Sequence, residues 1–96
     1  MYVALRAHDG AMASKYDPLR KHLRQAGRGP ITMAFVEIEN VLGFPLPKSA
    51  RAYDVWWLDK SSGTTHSHAF AWLAVGRRVA RVDRVAALVT FTAVGA

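Results

Sequence analysis

Residues 43–47 (GFPLP) constrain the fold of this chain more than any other segment. A proline lacks the backbone N–H and the free φ angle that a helix interior needs, so two prolines within three residues predict an extended turn. Phe44 and Leu46 alternate with the prolines and are predicted to fill the core. The segment therefore separates two helices by a short turn, with Gly43 as the natural C-terminal stop of the first of them.

Apolar residues recur at helical spacing on both sides of this turn. Asp17-Pro18 is typical of a helix start, and the helix that follows carries basic residues on its outer face. Tyr53, Trp56 and Trp57 are predicted to form the apolar side of the helix after the turn. The predicted elements of this part are a helix at 17–26, a short edge strand at 31–33, and helices at 35–42, 48–58 and 69–75.

The C-terminal part is rich in β-branched residues and predicts a β-hairpin. Its strands are expected at residues 77–83 and 88–94, with a turn at 84–87. Alternation in the second strand predicts that Val89 and Phe91 are buried. Val79 and Val82 would fall on opposite faces of a regular strand, which indicates either a bulge in this strand or a different register.

The length of 96 residues fits one domain, which we place at residues 15–94. Residues 1–14 show no period and are predicted to be a flexible leader. The absence of cysteine excludes disulfides, thiolate zinc sites and a cysteine nucleophile. No apolar run is long enough to span a bilayer, so we expect a cytoplasmic protein without membrane attachment.

The order of elements predicts an α+β, winged helix-turn-helix-like fold. It has three to four short helices, a C-terminal β-hairpin and one short extra strand. In such a fold the helix at 48–58 would enter the major groove of DNA, and the hairpin would be the wing that follows the phosphate backbone.

The charge of the chain agrees with a nucleic-acid partner. Lys and Arg number 13 against 7 Asp and Glu, a formal net charge of +6, and arginine suits bidentate phosphate contact. The alternative is a basic composition without function, as in a protein from a GC-rich genome. Trp57 is the candidate for stacking on a base or seating a partner, with burial as the alternative for both Trp56 and Trp57. The predicted DNA-binding residues are Lys48, Arg51, Lys60, Arg77, Arg78, Arg81 and Arg84. As an alternative, Glu39 or Asp54 could pair with such arginines, which would weaken a basic patch.

Catalysis and metal binding are not expected. His66 and His68 are two residues apart, with no cysteine and no clear third ligand, which favours surface histidines over a metal site. No GxSxG elbow and no glycine-rich phosphate loop is present. Glu37 and Glu39 face different sides of a helix and make a poor acid–base pair. The sequence thus predicts no enzyme, no metal and no cofactor.

Several motifs resemble a small uncharacterised domain family of bacteria and their phages. LGFPLPKSAR at 42–51, then Trp56-Trp57, AWL at 71–73 and VTF at 89–91 are similar to its pattern YDPL, LTFxEIExxLGxPLPxSA, WWxN, AWLxxGW and VDLxxxxVxF. The resemblance covers residues 16–91 and implies a shared fold without an activity. This chain departs from the pattern at Ala34, which removes a threonine helix cap, at Asp59 in place of Asn, and at Arg77 in place of Trp.

Two functions are therefore expected. The first is a non-enzymatic domain that binds double-stranded DNA, as in small transcriptional regulators, with a symmetric homodimer as the usual assembly. The alternative is a phage-encoded interaction module that binds and inhibits a host protein. The phage occurrence of the resembling family and the exposed aromatic candidates favour this alternative.

Overall fold

Five helices and three strands follow one another in residues 15–58 and 68–95, the parts of the chain that the computed structural model describes. The predicted leader at 1–14 lies outside them. The architecture is α+β with a three-stranded antiparallel sheet. The elements are α1 (Asp17–Gln25), β1 (Ile31–Ala34), α2 (Phe35–Leu42), α3 (Lys48–Ala52), α4 (Val55–Leu58), α5 (Phe70–Leu73), β2 (Val79–Asp83) and β3 (Leu88–Phe91).

The proline-rich turn takes the predicted extended form and contributes to the core. Gly43 ends α2 with φ of +85°, a left-handed conformation that glycine adopts at little cost. Leu46 is buried, and its backbone N–H donates to a carboxylate oxygen of Glu39 at 2.7 Å. Phe44 meets the ring of Tyr16 edge-on at 5.7 Å. The turn is therefore held by both apolar packing and a charge-assisted hydrogen bond.

The prediction of one helix over 48–58 is wrong, because the chain breaks after Ala52. Tyr53 has an extended backbone (φ −135°, ψ 127°), and a new helical turn starts beyond it. Tyr53 is exposed rather than part of the apolar side. The break turns the chain so that Trp57 lies under α3, where its indole Nε1–H donates to the carbonyl of Ala50 at 2.7 Å. A continuous helix would not bring these two groups together, because they are seven residues apart.

The sheet has the strand order β1-β3-β2. Met33, Val89 and Val82 form one cross-strand row on the core side, and Thr32, Thr90 and Arg81 form the next row on the open side. The register shifts between Val79 and Arg81, so the bulge is the alternative that holds. Val89 and Phe91 are buried as predicted, although β3 ends at Phe91 and not at residue 94.

Aromatic rings connect the helices to the sheet. Phe35 stacks on Trp57 at 5.4 Å, Trp57 lies 5.8 Å from Trp72, and Trp72 contacts Phe91 at 5.5 Å. All four side chains are almost fully buried. Large aromatic side chains contribute much of the apolar area in a core of this size. The row fixes α2, α4 and α5 against β3.

The start of α2 shows how the chain compensates for Ala34, which has no side-chain oxygen to cap a helix. The Glu37 carboxylate accepts a hydrogen bond from the Ala34 N–H at 2.7 Å, which is half of a capping box. The N–H of Phe35 donates to the carbonyl of Ala87 in the hairpin turn at 2.8 Å. The hairpin therefore supplies an acceptor for a helix terminus that lacks its own cap.

Candidate nucleic-acid interface

The predicted DNA-binding residues on α3 are exposed, and one of them is paired. Lys48 begins α3 and has no ion pair among the described residues. Arg51 donates to the Glu39 carboxylate at 2.7 Å and lies over the ring of Phe35 at 5.5 Å from its centroid. The backbone N–H of Leu46 and then the Arg51 guanidinium hold the pKa of the Glu39 carboxyl below its usual range. Arg51 is therefore largely neutralised by its neighbour.

Arg84 in the hairpin turn is paired in the same way. Its Nε lies 2.7 Å from a carboxylate oxygen of Asp54, between α3 and α4, and both side chains are about half exposed. An exposed pair of this kind contributes little to stability. The pair shows that the hairpin turn lies next to α3 and α4, and it reduces the positive charge that Arg84 presents.

The prediction that Arg77 binds DNA is corrected by the structure, because its side chain cannot contact a phosphate. The side chain is fully buried. Its guanidinium donates to the carbonyl oxygens of Gly29 at 2.8 Å and Thr92 at 2.6 Å, and also to that of Gly27. Its Nε has no hydrogen-bond partner within the part of the chain that the structure describes. Arg77 precedes β2, and it holds the exit of α1 against the end of the sheet.

The prediction that Trp57 stacks on a base or seats a partner is corrected as well. It is 1% exposed, stacks between Phe35 and Trp72, and donates its N–H to Ala50, so it is not available to stack on a base. Trp56 is the more exposed of the pair, but its ring stacks on His68 at 3.8 Å. Burial was the alternative considered for both tryptophans, and it holds for Trp57.

Arg78 and Arg81 are exposed in the hairpin region. The N–H of Arg78 donates to the hydroxyl of Thr92 at 2.9 Å, which fixes its backbone and leaves the guanidinium toward solvent. Arg81 lies on the open face of the sheet beside the hydrogen-bonded hydroxyls of Thr32 and Thr90. Lys60, Asp59 and His66 lie outside the described residues.

The outer side of α1 also carries basic residues, and none of them was among the predicted DNA-binding residues. Lys21 and Arg24 are one helical turn apart and point away from the buried Leu19 and Leu23. Arg28 lies in the loop after α1, where Arg77 donates hydrogen bonds to the carbonyls of Gly27 and Gly29. The sequence predicts the basic face of this helix. It does not show that the basic side chains lack carboxylate partners. We call Lys21, Arg24, Arg28 and Arg78 the α1 basic surface.

Charge is distributed unevenly between two parts of the described chain. Residues 15–28 and 77–78 hold seven basic residues against one acidic residue, Asp17, which pairs with Arg20 at 3.5 Å. Residues 37–54 and 81–84 hold four basic and four acidic residues. Within the described residues, the net charge of the protein thus lies on α1 and next to it. The predicted recognition helix carries Lys48 and Arg51 against Asp54. The predicted hairpin carries four arginines against Asp83, but Arg77 is buried and Arg84 is paired with Asp54.

Neither a metal site nor a membrane helix is found in the described residues. No group of three or more His, Asp or Glu side chains there could hold a metal ion. None of the helices at 15–58 and 68–95 is long and apolar enough to cross a membrane.

Comparison with known proteins places the chain in a family without giving it an activity. No curated protein and no solved structure matches the sequence. One family does match, over residues 16–95, and that range contains every described helix and strand. The chain belongs to this family, which is described as a domain of unknown function, DUF7662.

Proposed function

We propose that this protein is a non-enzymatic domain that binds double-stranded DNA, and that the α1 basic surface provides most of the phosphate contacts. The observation that carries the proposal is the uneven charge: Lys21, Arg24, Arg28 and Arg78 are exposed and form no ion pair within the described residues. Each cation of this kind can release counterions from DNA when it contacts a phosphate.

The rigidity of this surface supports the proposal. Arg77 anchors the loop that carries Arg28 through two glycine carbonyls, and Arg28 itself accepts the N–H of Val94 through its backbone. Arg78 is fixed by two hydrogen bonds to Thr92. Cations on a fixed backbone lose less conformational entropy on binding than cations on a mobile tail. Arg77 also contributes a buried positive charge that no carboxylate of the described residues neutralises.

The order of the elements supports a winged-helix-like geometry as the finer form of this proposal. β1, between α1 and α2, pairs with the second strand of the C-terminal hairpin, so the hairpin continues the sheet beside the helices. Lys48, Arg51, Arg81 and Arg84 would then add contacts beyond the α1 basic surface. A cytoplasmic location and a role in transcriptional regulation belong to the same proposal.

The test is the salt dependence of binding to a labelled duplex of about 25 bp, followed by fluorescence anisotropy. Lys21→Ala with Arg24→Ala is expected to weaken binding about tenfold and to reduce the salt slope by about two, since two phosphate contacts are lost. Lys48→Ala with Arg51→Ala removes the same charge from α3 and is the matched control. Equal effects of the two double variants would contradict the assignment to α1.

The absence of binding at low salt would overturn DNA binding altogether. The alternative, binding and inhibition of a host protein, would then take its place, supported by the apolar side chains exposed near the hairpin turn. A pull-down that recovers one stoichiometric protein after nuclease treatment, in about 0.5 M salt, would identify such a partner.

A further inference from the structure

Large hydrophobic side chains are exposed on one part of the surface in particular. Seven are exposed in the described residues, and five of these come from segments that adjoin the hairpin turn. Val85 is 100% exposed at the turn itself. We call this group the turn-end patch: Val36, Tyr53, Val55, Val85 and Leu88.

Two contacts bring these segments together. The ion pair of Arg84 with Asp54 places the hairpin turn beside the link between α3 and α4, which carries Tyr53 and Val55 on either side of Asp54. The hydrogen bond from the Phe35 N–H to the Ala87 carbonyl places the same turn beside the first residues of α2, and so beside Val36. Val85 lies in the turn, and Leu88 is the residue that follows it. The patch is thus assembled from three separate segments around one turn.

The charge around the patch differs from that of the rest of the molecule. Residues 37–54 and 81–84 carry four acidic and four basic side chains, and Arg51 with Glu39 and Arg84 with Asp54 are already paired. The α1 side carries nearly all of the net positive charge. A second copy of this chain would be repelled by the α1 side, whereas the turn end presents no net charge to it.

We propose that the turn-end patch binds the same patch of a second copy, forming a two-fold symmetric dimer. In such an isologous interface each surface meets itself, so a surface without net charge and with apolar side chains favours the contact. The turn-end patch has both properties within one protein that is otherwise strongly basic. α1 contributes no residue to the patch, so both copies of the α1 basic surface stay uncovered. This proposal does not depend on DNA binding.

The experiment is sedimentation equilibrium of the purified full chain, without nucleic acid, from about 5 µM to about 500 µM. The sample is first treated with nuclease and washed in high salt, so that DNA cannot bridge two copies. We expect a concentration-dependent dimer that persists at high salt, because burial of apolar surface is not screened by ions.

Val85→Glu is expected to weaken the dimer by at least about tenfold, since two carboxylates would be buried near the two-fold axis. Val85 is fully exposed and makes no core contact, so the substitution leaves the fold intact. Gln25→Glu, on the exposed side of α1, changes the net charge equally and is the control that should leave the dimer unchanged.

Three results would overturn the proposal. The first is a monomer at every concentration, which is also the result expected if the patch binds a protein of another sequence. The second is a dimer that Val85→Glu and Gln25→Glu affect equally. The third is an association that high salt abolishes.

Discussion

Arg77 and Gly29 lie 48 residues apart in the chain, yet Nη1 of Arg77 donates a hydrogen bond to the carbonyl of Gly29 at 2.8 Å. The same guanidinium holds the carbonyls of Gly27 and Thr92. A buried cation is costly unless its donors are satisfied, and here backbone carbonyls take the place of a carboxylate. Arg77 thereby joins the exit of α1 to the end of β3.

Replacement of Arg77 by methionine is expected to lower the free energy of unfolding by about 3 kcal/mol, because the carbonyls that Arg77 now binds lose their donors. Urea denaturation followed by tryptophan fluorescence measures the loss. Arg78→Met is the matched control: this neighbour is exposed, and its removal should change stability by no more than about 0.5 kcal/mol. Equal losses for the two variants would contradict the role given to Arg77.

Trp57→Phe is expected to destabilise the protein by about 2 kcal/mol. The smaller ring leaves a cavity in the aromatic row and removes the donor to the Ala50 carbonyl. Thermal unfolding monitored by circular dichroism gives the change. Tyr53→Phe alters an exposed ring four residues earlier and should leave the midpoint almost unchanged. If Trp57→Phe were silent, the indole hydrogen bond would have no energetic role.

The pH dependence of stability should contain a contribution from Glu39. Its pKa in the folded protein is lowered from 4.5, chiefly by the Leu46 N–H and then by Arg51. The unfolded chain therefore binds a proton more readily, so this stabilisation is present above about pH 4.5 and is lost as the pH falls through the lower folded value.

Denaturation of Glu39→Gln between neutral and acidic pH tests this assignment. The variant should be less stable than wild type at neutral pH, and the difference should shrink as the pH falls below 4.5. A difference that stays constant over this range would show that the carboxylate charge is not responsible.

Ala87→Gly should raise the free energy of unfolding by up to about 1 kcal/mol. Ala87 has φ of +59°, a left-handed conformation that costs an alanine about 1–2 kcal/mol, more than the entropy that glycine brings to the unfolded chain. Ala86→Gly, one residue earlier at an exposed position, has no such strain to relieve and should lower stability slightly. Chemical denaturation of both variants makes the comparison. If both lowered stability, Ala87 would not be strained.

Local chemistry made several elements predictable. The prolines at 45 and 47 required an extended turn whatever the rest of the chain did. Alternation marked Val89 and Phe91 as buried, and the spacing of Val79 and Val82 indicated either the bulge or a different register. In each case the signal lies within a few residues of the feature.

Features that depend on distant contacts could not be predicted in the same way. The break at Tyr53 is explained by the place that Trp57 occupies between Phe35 and Trp72, residues from other elements. Arg77 was assigned to the DNA interface by its charge, whereas its burial depends on carbonyls of a loop 48 residues away. The pairing of Arg51 with Glu39 and of Arg84 with Asp54 decides which cations remain free. The sequence indicated such pairing only as an alternative, because the partners lie in different elements.

The hydrogen bond between the Phe35 N–H and the Ala87 carbonyl has a consequence for the motions of the hairpin. If the turn swung away from the body of the protein, α2 would lose an acceptor at its uncapped start, and the Asp54–Arg84 pair would separate as well. Turn and helix should therefore open together, so that the Phe35 amide exchanges its hydrogen only when the hairpin detaches. We therefore expect the hairpin to keep a fixed position on the domain, so that a binding partner would meet it already in place.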